Sequence, residues 1–185
     1  MTNKITKIDL NICVIKPFAN LVRPKVVLVV PVLSDRRIAI GLKKDYLPPG
    51  LARFLGGGVR EDEDFVNAAQ REMQEEINIL VPIESFKEIA EFMVSATDEN
   101  GVKYSNTTKV FSFNVEADNK LVAGDDVSGS QFITTSKLKE IAKTYLNLPK
   151  TLWYIGEEGE FGWADYAKVY GPVHEIVANT LDTIK

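Results

Sequence analysis

Cysteine and histidine are almost absent from this chain: Cys13 and His174 are the only ones in 185 residues. One thiol cannot close an internal disulfide, and a single cysteine fits a reducing compartment. The same scarcity excludes a Cys/His zinc cluster and leaves no material for a Ser-His-Asp or Cys-His triad. No apolar run approaches the ~20 residues a membrane-spanning helix needs, and the first ten residues hold no signal-peptide core or small-residue cleavage site. Net charge is −4 and there is no Lys/Arg block, so neither duplex nucleic acid nor a membrane is an expected partner. The expected location is the cytoplasm. Any catalysis must rest on carboxylates and a metal.

With 45% hydrophobic and 26% charged residues the chain has an ordinary globular composition, enough for one domain with a sizeable core. Residues 7–15 alternate and predict a half-buried strand. Lys25 to Leu33 is a β-branched run suited to a central strand, and Arg37 to Leu42 returns from a turn as its hairpin partner. Leu51 to Leu55 predicts a short strand feeding Gly56, Gly57 and Gly58. A helix opens at Asp62 or Glu63 and runs to Ile77, with Asn78 ending it in a left-handed conformation. Two long strands, Phe86 to Ser95 and Lys103 to Glu116, flank an Asn100–Gly101 turn. A polar loop at 117–130, a short strand at 132–134, a helix capped by Ser136 and a last helix from Trp163 to Ile184 complete an α/β or α+β layered chain.

The densest chemistry lies at Arg71, Glu72, Glu75 and Glu76. On a helix of ~3.6 residues per turn, the glutamates at i, i+3 and i+4 share one face. Three carboxylates on one patch repel unless a cation sits among them, and hard divalent ions prefer oxygen ligands. The plain alternative is a charged, solvated helix face. The string has company, however: Gly57-x5-Glu63-x7-Arg71-Glu72-Met73-x-Glu75-Glu76-x-Asn78-Ile79 resembles the box of the Nudix hydrolase family. Asn78 stands where the family has Gly, a substitution that still permits a left-handed helix end.

That resemblance implies an α/β/α sandwich with a mixed β-sheet over residues 25–145, an N-terminal extension at 1–24, and a C-terminal loop and helix at 146–185. It also implies hydrolysis of a diphosphate linkage. Glu72, Glu75 and Glu76 would hold Mg²⁺, with Mn²⁺ as an alternative, and the Gly57 carbonyl would be a further ligand. Glu63 and Arg71 would form a structural pair, while Met73 and Ile79 would pack the helix on the sheet. The general base would be Glu75 or, in the loop before the last strand, Asp126 in preference to Asp125. Arg53, Lys43 and Lys44 are candidate phosphate ligands, and Tyr46 and Phe54 candidate stacking partners for a base; ordinary surface charge and core packing are the competing roles.

The markers that distinguish NADH-cleaving, ADP-ribose-cleaving and dinucleoside-polyphosphate-cleaving relatives are missing downstream of the box, where positions 92–96 read Phe-Met-Val-Ser-Ala. The expected substrate is a nucleoside diphosphate linked to another moiety. A nucleoside triphosphate cleaved to monophosphate and pyrophosphate is the close alternative, and an inactive nucleotide-binding regulator the alternative from another class. Residues 147–163, aromatic, acidic and Gly-hinged, are either a lid over a nucleotide or an anchor for the last helix. The first 24 residues either extend the sheet or exchange with a second subunit in a homodimer. His174 is read as a helix-face residue.

Overall fold

The structure, a computed structural model, describes residues 5–43, 46–116 and 129–183. In chain order the strands are β1 (Thr6–Cys13), β2 (Lys25–Leu33), β3 (Ile38–Leu42), β4 (Leu55–Gly58), β5 (Lys87–Thr97), β6 (Lys103–Val115), β7 (Gly129–Ile133), β8 (Trp153–Gly156) and β9 (Gly159–Gly162); the helices are α1 (Ala19–Val22), α2 (Phe65–Ile77), α3 (Thr135–Leu146) and α4 (Trp163–Thr183). Among the described residues, seven strands form one mixed sheet in the order β1-β5-β6-β2-β3-β7, with β4 added on β2. The β2–β6 and β1–β5 pairs are parallel, the others antiparallel.

The central strand shows why the sheet must be covered twice. Val26, Leu28 and Val30 of β2 point into one core with α3 and α4, whereas Val27 and Val29 point into a second core with α2. Alternation along a pleated strand sends successive side chains to opposite faces, so an unbroken valine run demands a helix layer on each. The result is an α/β/α sandwich. At α2 the layer is held by Ala68, Ala69, Met73 and Ile77, all essentially inaccessible to water, with Ile79 packed against them. The opposite layer is larger and rich in rings, with Tyr145, Tyr166 and Tyr170 among its buried side chains.

Several local expectations shift. Asp64, not Asp62 or Glu63, caps α2: its carboxylate accepts from the Val66 and Asn67 amides at 3.0 and 2.8 Å. Glu63 is engaged elsewhere, as described below. Asn78 does end the helix left-handed, at φ 55°, with its amide donating to the Met73 carbonyl. The β2–β3 hairpin pairs only at Val32 and Ile38, because β4 takes the same edge of β2 from Val26 to Val29. Residues 51–54 form no strand; Arg53 makes only an isolated bridge with Gly41. Thr134 rather than Ser136 caps α3. The N-terminal segment extends the chain's own sheet, with β1 parallel to β5. Residues 153–162, read from sequence as a loop, are the β8–β9 hairpin.

Candidate active site

The turn from β4 into α2 is built on two glycines with different jobs. Gly56 has φ +124°, and a Cβ there would lie 2.2 Å from the Val27 carbonyl oxygen, inside the sheet; only glycine fits both the angle and the approach. Its amide donates to Glu76 Oε2 at 2.6 Å. At Gly57 a Cβ would meet the Glu72 carboxylate at 2.6–2.9 Å. The missing side chain is what lets Glu72 lie against the backbone.

Arg71 organises the rest. Its guanidinium donates to Glu63 through Nε and Nη2 at 3.2 and 2.6 Å, to the Gly58 carbonyl at 2.9 Å, and through Nη1 to Glu72 at 2.7 Å and Glu75 at 2.9 Å. A planar fork that grips a carboxylate with two parallel bonds ties the loop to the helix. Glu63 also accepts from the Arg60 amide at 2.8 Å. The Arg71 side-chain hydrogen bonds hold the Glu63 carboxyl below its usual range, and they keep Arg71 firmly charged. Burial raises the Glu72 pKa despite Arg71 beside it. Glu76 is almost wholly buried and faces Arg53 at 3.5 Å, while Glu75, half exposed, also accepts from Arg60 at 3.2 Å.

These groups line a polar cleft of about 560 Å³. Its walls carry five cations (Arg23, Lys43, Arg53, Arg60 and Arg71) and five acids (Glu72, Glu75, Glu76, Glu157 and Glu158). Balanced charge in one cleft suits a ligand that is itself an anion accompanied by a cation. A larger cavity of about 730 Å³ lies at the far end of β2, around Val32, Leu33, Ile89 and Leu181, away from every box residue.

Of the sequence-predicted site residues, Glu72, Glu75, Glu76, Gly57, Arg71, Arg53 and Lys43 come together on this cleft. Glu63 stands behind it, holding Arg71. Asp125, Asp126 and Lys44 lie outside the described residues. Phe54 is corrected: it is 2% exposed and stacks on His174 with centroids 4.5 Å apart, deep in the core, so it cannot take a base. Tyr46 is corrected in part. Its ring is edge-packed against Tyr154 and Trp163 at 4.8 and 5.4 Å, and two cleft cations, Lys43 and Arg53, already lie 4.7 and 5.9 Å from its centre. His174 lies on α4, on its inward face: it is fully buried, with its ring nitrogens 2.6 and 3.1 Å from the Tyr170 and Ala52 carbonyl oxygens. Sequence reasoning missed Arg23 and Arg60. Arg60 lies inside the box and its basic side chain was the available signal; Arg23 is brought in only by the strand pairing that sets it beside Gly58.

A divalent cation fits the donor chemistry here. Glu72, Glu75 and Glu76 supply hard oxygens on one helix face, beside a backbone that Gly57 leaves bare. In the side-chain arrangement described, arginines neutralise these carboxylates, and among the described residues no three acidic, His or Cys side chains converge at metal-binding distances.

The NUDIX domain family model matches residues 22–152, well over half of the chain. The chain belongs to the Nudix family. Two solved structures agree at the level of fold. A Deinococcus radiodurans protein is 21% identical over 70% of this chain and 77% of its own, at a TM-score of 0.51. A Nudix hydrolase from M. smegmatis is 11% identical, with 84% of each chain covered and a TM-score of 0.51. A MutT/nudix family protein from Enterococcus faecalis is 18% identical over 60% of this chain at a TM-score of 0.49; this chain spans 43% of that protein's length. Among curated proteins no sequence matches. Within this Nudix domain no described helix is long and apolar enough to cross a membrane.

Proposed function

We propose that this Nudix protein is a Mg²⁺-dependent pyrophosphohydrolase that splits the diphosphate of a nucleoside diphosphate linked to another group. The observation that carries the reading is the placement of all three box glutamates with Arg23, Arg53 and Lys43 along one polar cleft. Glu72, Glu75 and Glu76 would hold the ion, with the Gly57 carbonyl beside them. When bound, such an ion neutralises charge on phosphate oxygens and lowers the pKa of water. The chain's own part is positioning. Arg71, fixed by Glu63, keeps the glutamate face at a set height over Gly58, and Arg53 presents a buried guanidinium for a phosphate oxygen. Glu75 is the proton acceptor we favour: of the three glutamates it alone is half exposed, at 49%, and so it alone meets solvent water freely. The undescribed Asp126 is the other candidate. A nucleotide-binding regulator would not need an intact glutamate set, and all three are present.

Incubating the protein with Mg²⁺ and a panel of nucleoside diphosphate conjugates and nucleoside triphosphates, with products read by mass spectrometry, tests this. A conjugate split into two phosphorylated products is the expected outcome. Monophosphate plus pyrophosphate from triphosphates alone would favour the triphosphate reading, and inertness toward both would overturn the enzyme reading. Glu75→Gln should lower turnover by about 10²-fold or more; unchanged turnover would remove Glu75 from the chemistry.

A further inference from the structure

The β8–β9 hairpin reaches the cleft through its tip, and the contacts there are specific. Starting from the box, Glu76 faces Arg53 at 3.5 Å. The Arg53 guanidinium lies 5.9 Å from the Tyr46 ring centre, and Lys43 Nζ lies 4.7 Å from the same ring. Lys43 then donates to Glu158 Oε1 at 2.7 Å. Glu158 therefore lines the same cleft as the box glutamates, beside Lys43 and within electrostatic reach of Arg53. The strands that carry the tip are anchored in the core. Phe161 is fully buried, Trp153 pairs with Gly162, and Tyr154 stacks on Phe161 at 5.1 Å. Burial pushes the Glu158 carboxyl up, but hydrogen bonds from Lys43 and the Tyr46 hydroxyl, together with the charges of Lys43 and Arg53, hold it below its usual range.

We propose that Glu158 is a specificity-determining residue that meets whatever extends beyond a bound diphosphate: by occupying Lys43 and presenting an anion beside it, it selects diphosphates carrying an uncharged, hydroxyl-rich group and rejects a third phosphate. The inference rests on the diphosphate-cleaving reading of the same cleft. An ionised carboxylate only accepts hydrogen bonds, so sugar hydroxyls can donate to Glu158 and to its neighbour Glu157. A terminal phosphate brings acceptors and negative charge to the same place. It would meet like charge, and the cation it needs, Lys43, is already engaged. Discrimination of this kind comes as much from repulsion of the wrong ligand as from contacts to the right one.

The test compares kcat/KM for an ADP-sugar and for ATP, with Mg²⁺, in the full chain and in Glu158→Gln. Glu160→Gln is the control, since Glu160 sits on the same hairpin but pairs with Lys16 and is not among the cleft-lining residues. Glu158→Gln should raise ATP turnover about tenfold and lower ADP-sugar turnover severalfold, the effect of removing one like-charge contact near ~1.4 kcal/mol. Glu160→Gln should leave the ratio within about twofold of wild type. An unchanged ratio in Glu158→Gln, or an equal change in Glu160→Gln, overturns the proposal. Calorimetric Kd values for α,β-methylene analogues of the two ligands separate this from the parent reading. If wild type turns over neither substrate but binds both analogues, the ratio of Kd values must still move in Glu158→Gln. Failure of both analogues to bind to wild type overturns both. Tyr46→Phe, which removes the second hydrogen bond to Glu158, should shift the ratio in the same direction by a smaller factor, and it serves where the glutamine variant folds poorly.

Discussion

Replacing Arg71 by alanine isolates the part of the site that is structural. Arg71 and Glu63 are 16% and 13% exposed, so deleting the guanidinium leaves a nearly buried carboxylate with the Arg60 amide in place of its charged partner, and takes the donor from the Gly58 carbonyl. Breaking a buried ion pair from one side costs about 3–5 kcal/mol. The bond to Glu75, 49% exposed, adds little because water screens it. We therefore expect about 3–4 kcal/mol in metal-free buffer at pH 7. For a chain of this size that is a fall in Tm of roughly 6–16 °C, measured by circular dichroism or calorimetry. The loss has a pH signature. Glu63 has its pKa lowered in the folded state from a reference of 4.5, chiefly by the Arg71 hydrogen bonds. Its contribution is fully present above pH 4.5 and is lost as the pH falls through the folded value. The gap between wild type and Arg71→Ala should thus be widest at neutral pH and narrow below about pH 4.5. A double-mutant cycle with Glu63→Gln should return a coupling of about 1–3 kcal/mol. A Tm change under about 2 °C at pH 7, or a gap that does not narrow in acid, would refute the reasoning.

Three further substitutions have defined outcomes. Gly56→Ala, forced to φ +124° with its Cβ 2.2 Å from a sheet carbonyl, should lose on the order of 3 kcal/mol or more in chemical denaturation. Gly57→Ala meets only the movable tip of Glu72; it should cost under about 1 kcal/mol yet lower Mg²⁺-dependent turnover at least about tenfold, and equal stability losses for the two would contradict the division of labour. At His174, burial depresses the pKa from 6.5 to about 4. The unfolded chain then binds more protons between those values, so stability falls as pH drops from 6.5 toward 4. His174→Gln should remove about 3 kcal/mol of that slope, read as a flatter Tm–pH profile than wild type; parallel profiles would show that His174 does not titrate on unfolding.

The contrast between what could and could not be read from residues alone is clearest at particular positions. Glu72, Glu75 and Glu76 share a face because helical periodicity puts them there, and Gly57, Glu63 and Arg71 sit at distances a single loop and helix can span. Asn78 ends its helix by a local backbone preference. All of these are short-range properties, and the linear order carries them. Phe54 and His174 illustrate the opposite. Nothing local distinguishes a phenylalanine that stacks on a base from one that stacks on a histidine of a helix 120 residues away. The β8–β9 segment reads ambiguously because neighbouring residues do different things: Phe161 anchors it in the core while Glu158, three residues earlier, reaches Lys43.

By itself, then, the order of residues determined the family, the α/β/α layering and the glutamate face, since each depends on spacing within a few turns of chain. Only the tertiary structure decided which cations meet those glutamates, that Arg23 joins Arg53 and Lys43 on one cleft, and that Glu158 lines the same cleft. Electrostatic pairing depends on distance in space, and the partners here come from strands, a turn and a hairpin that are remote in sequence and adjacent only once the sheet has formed.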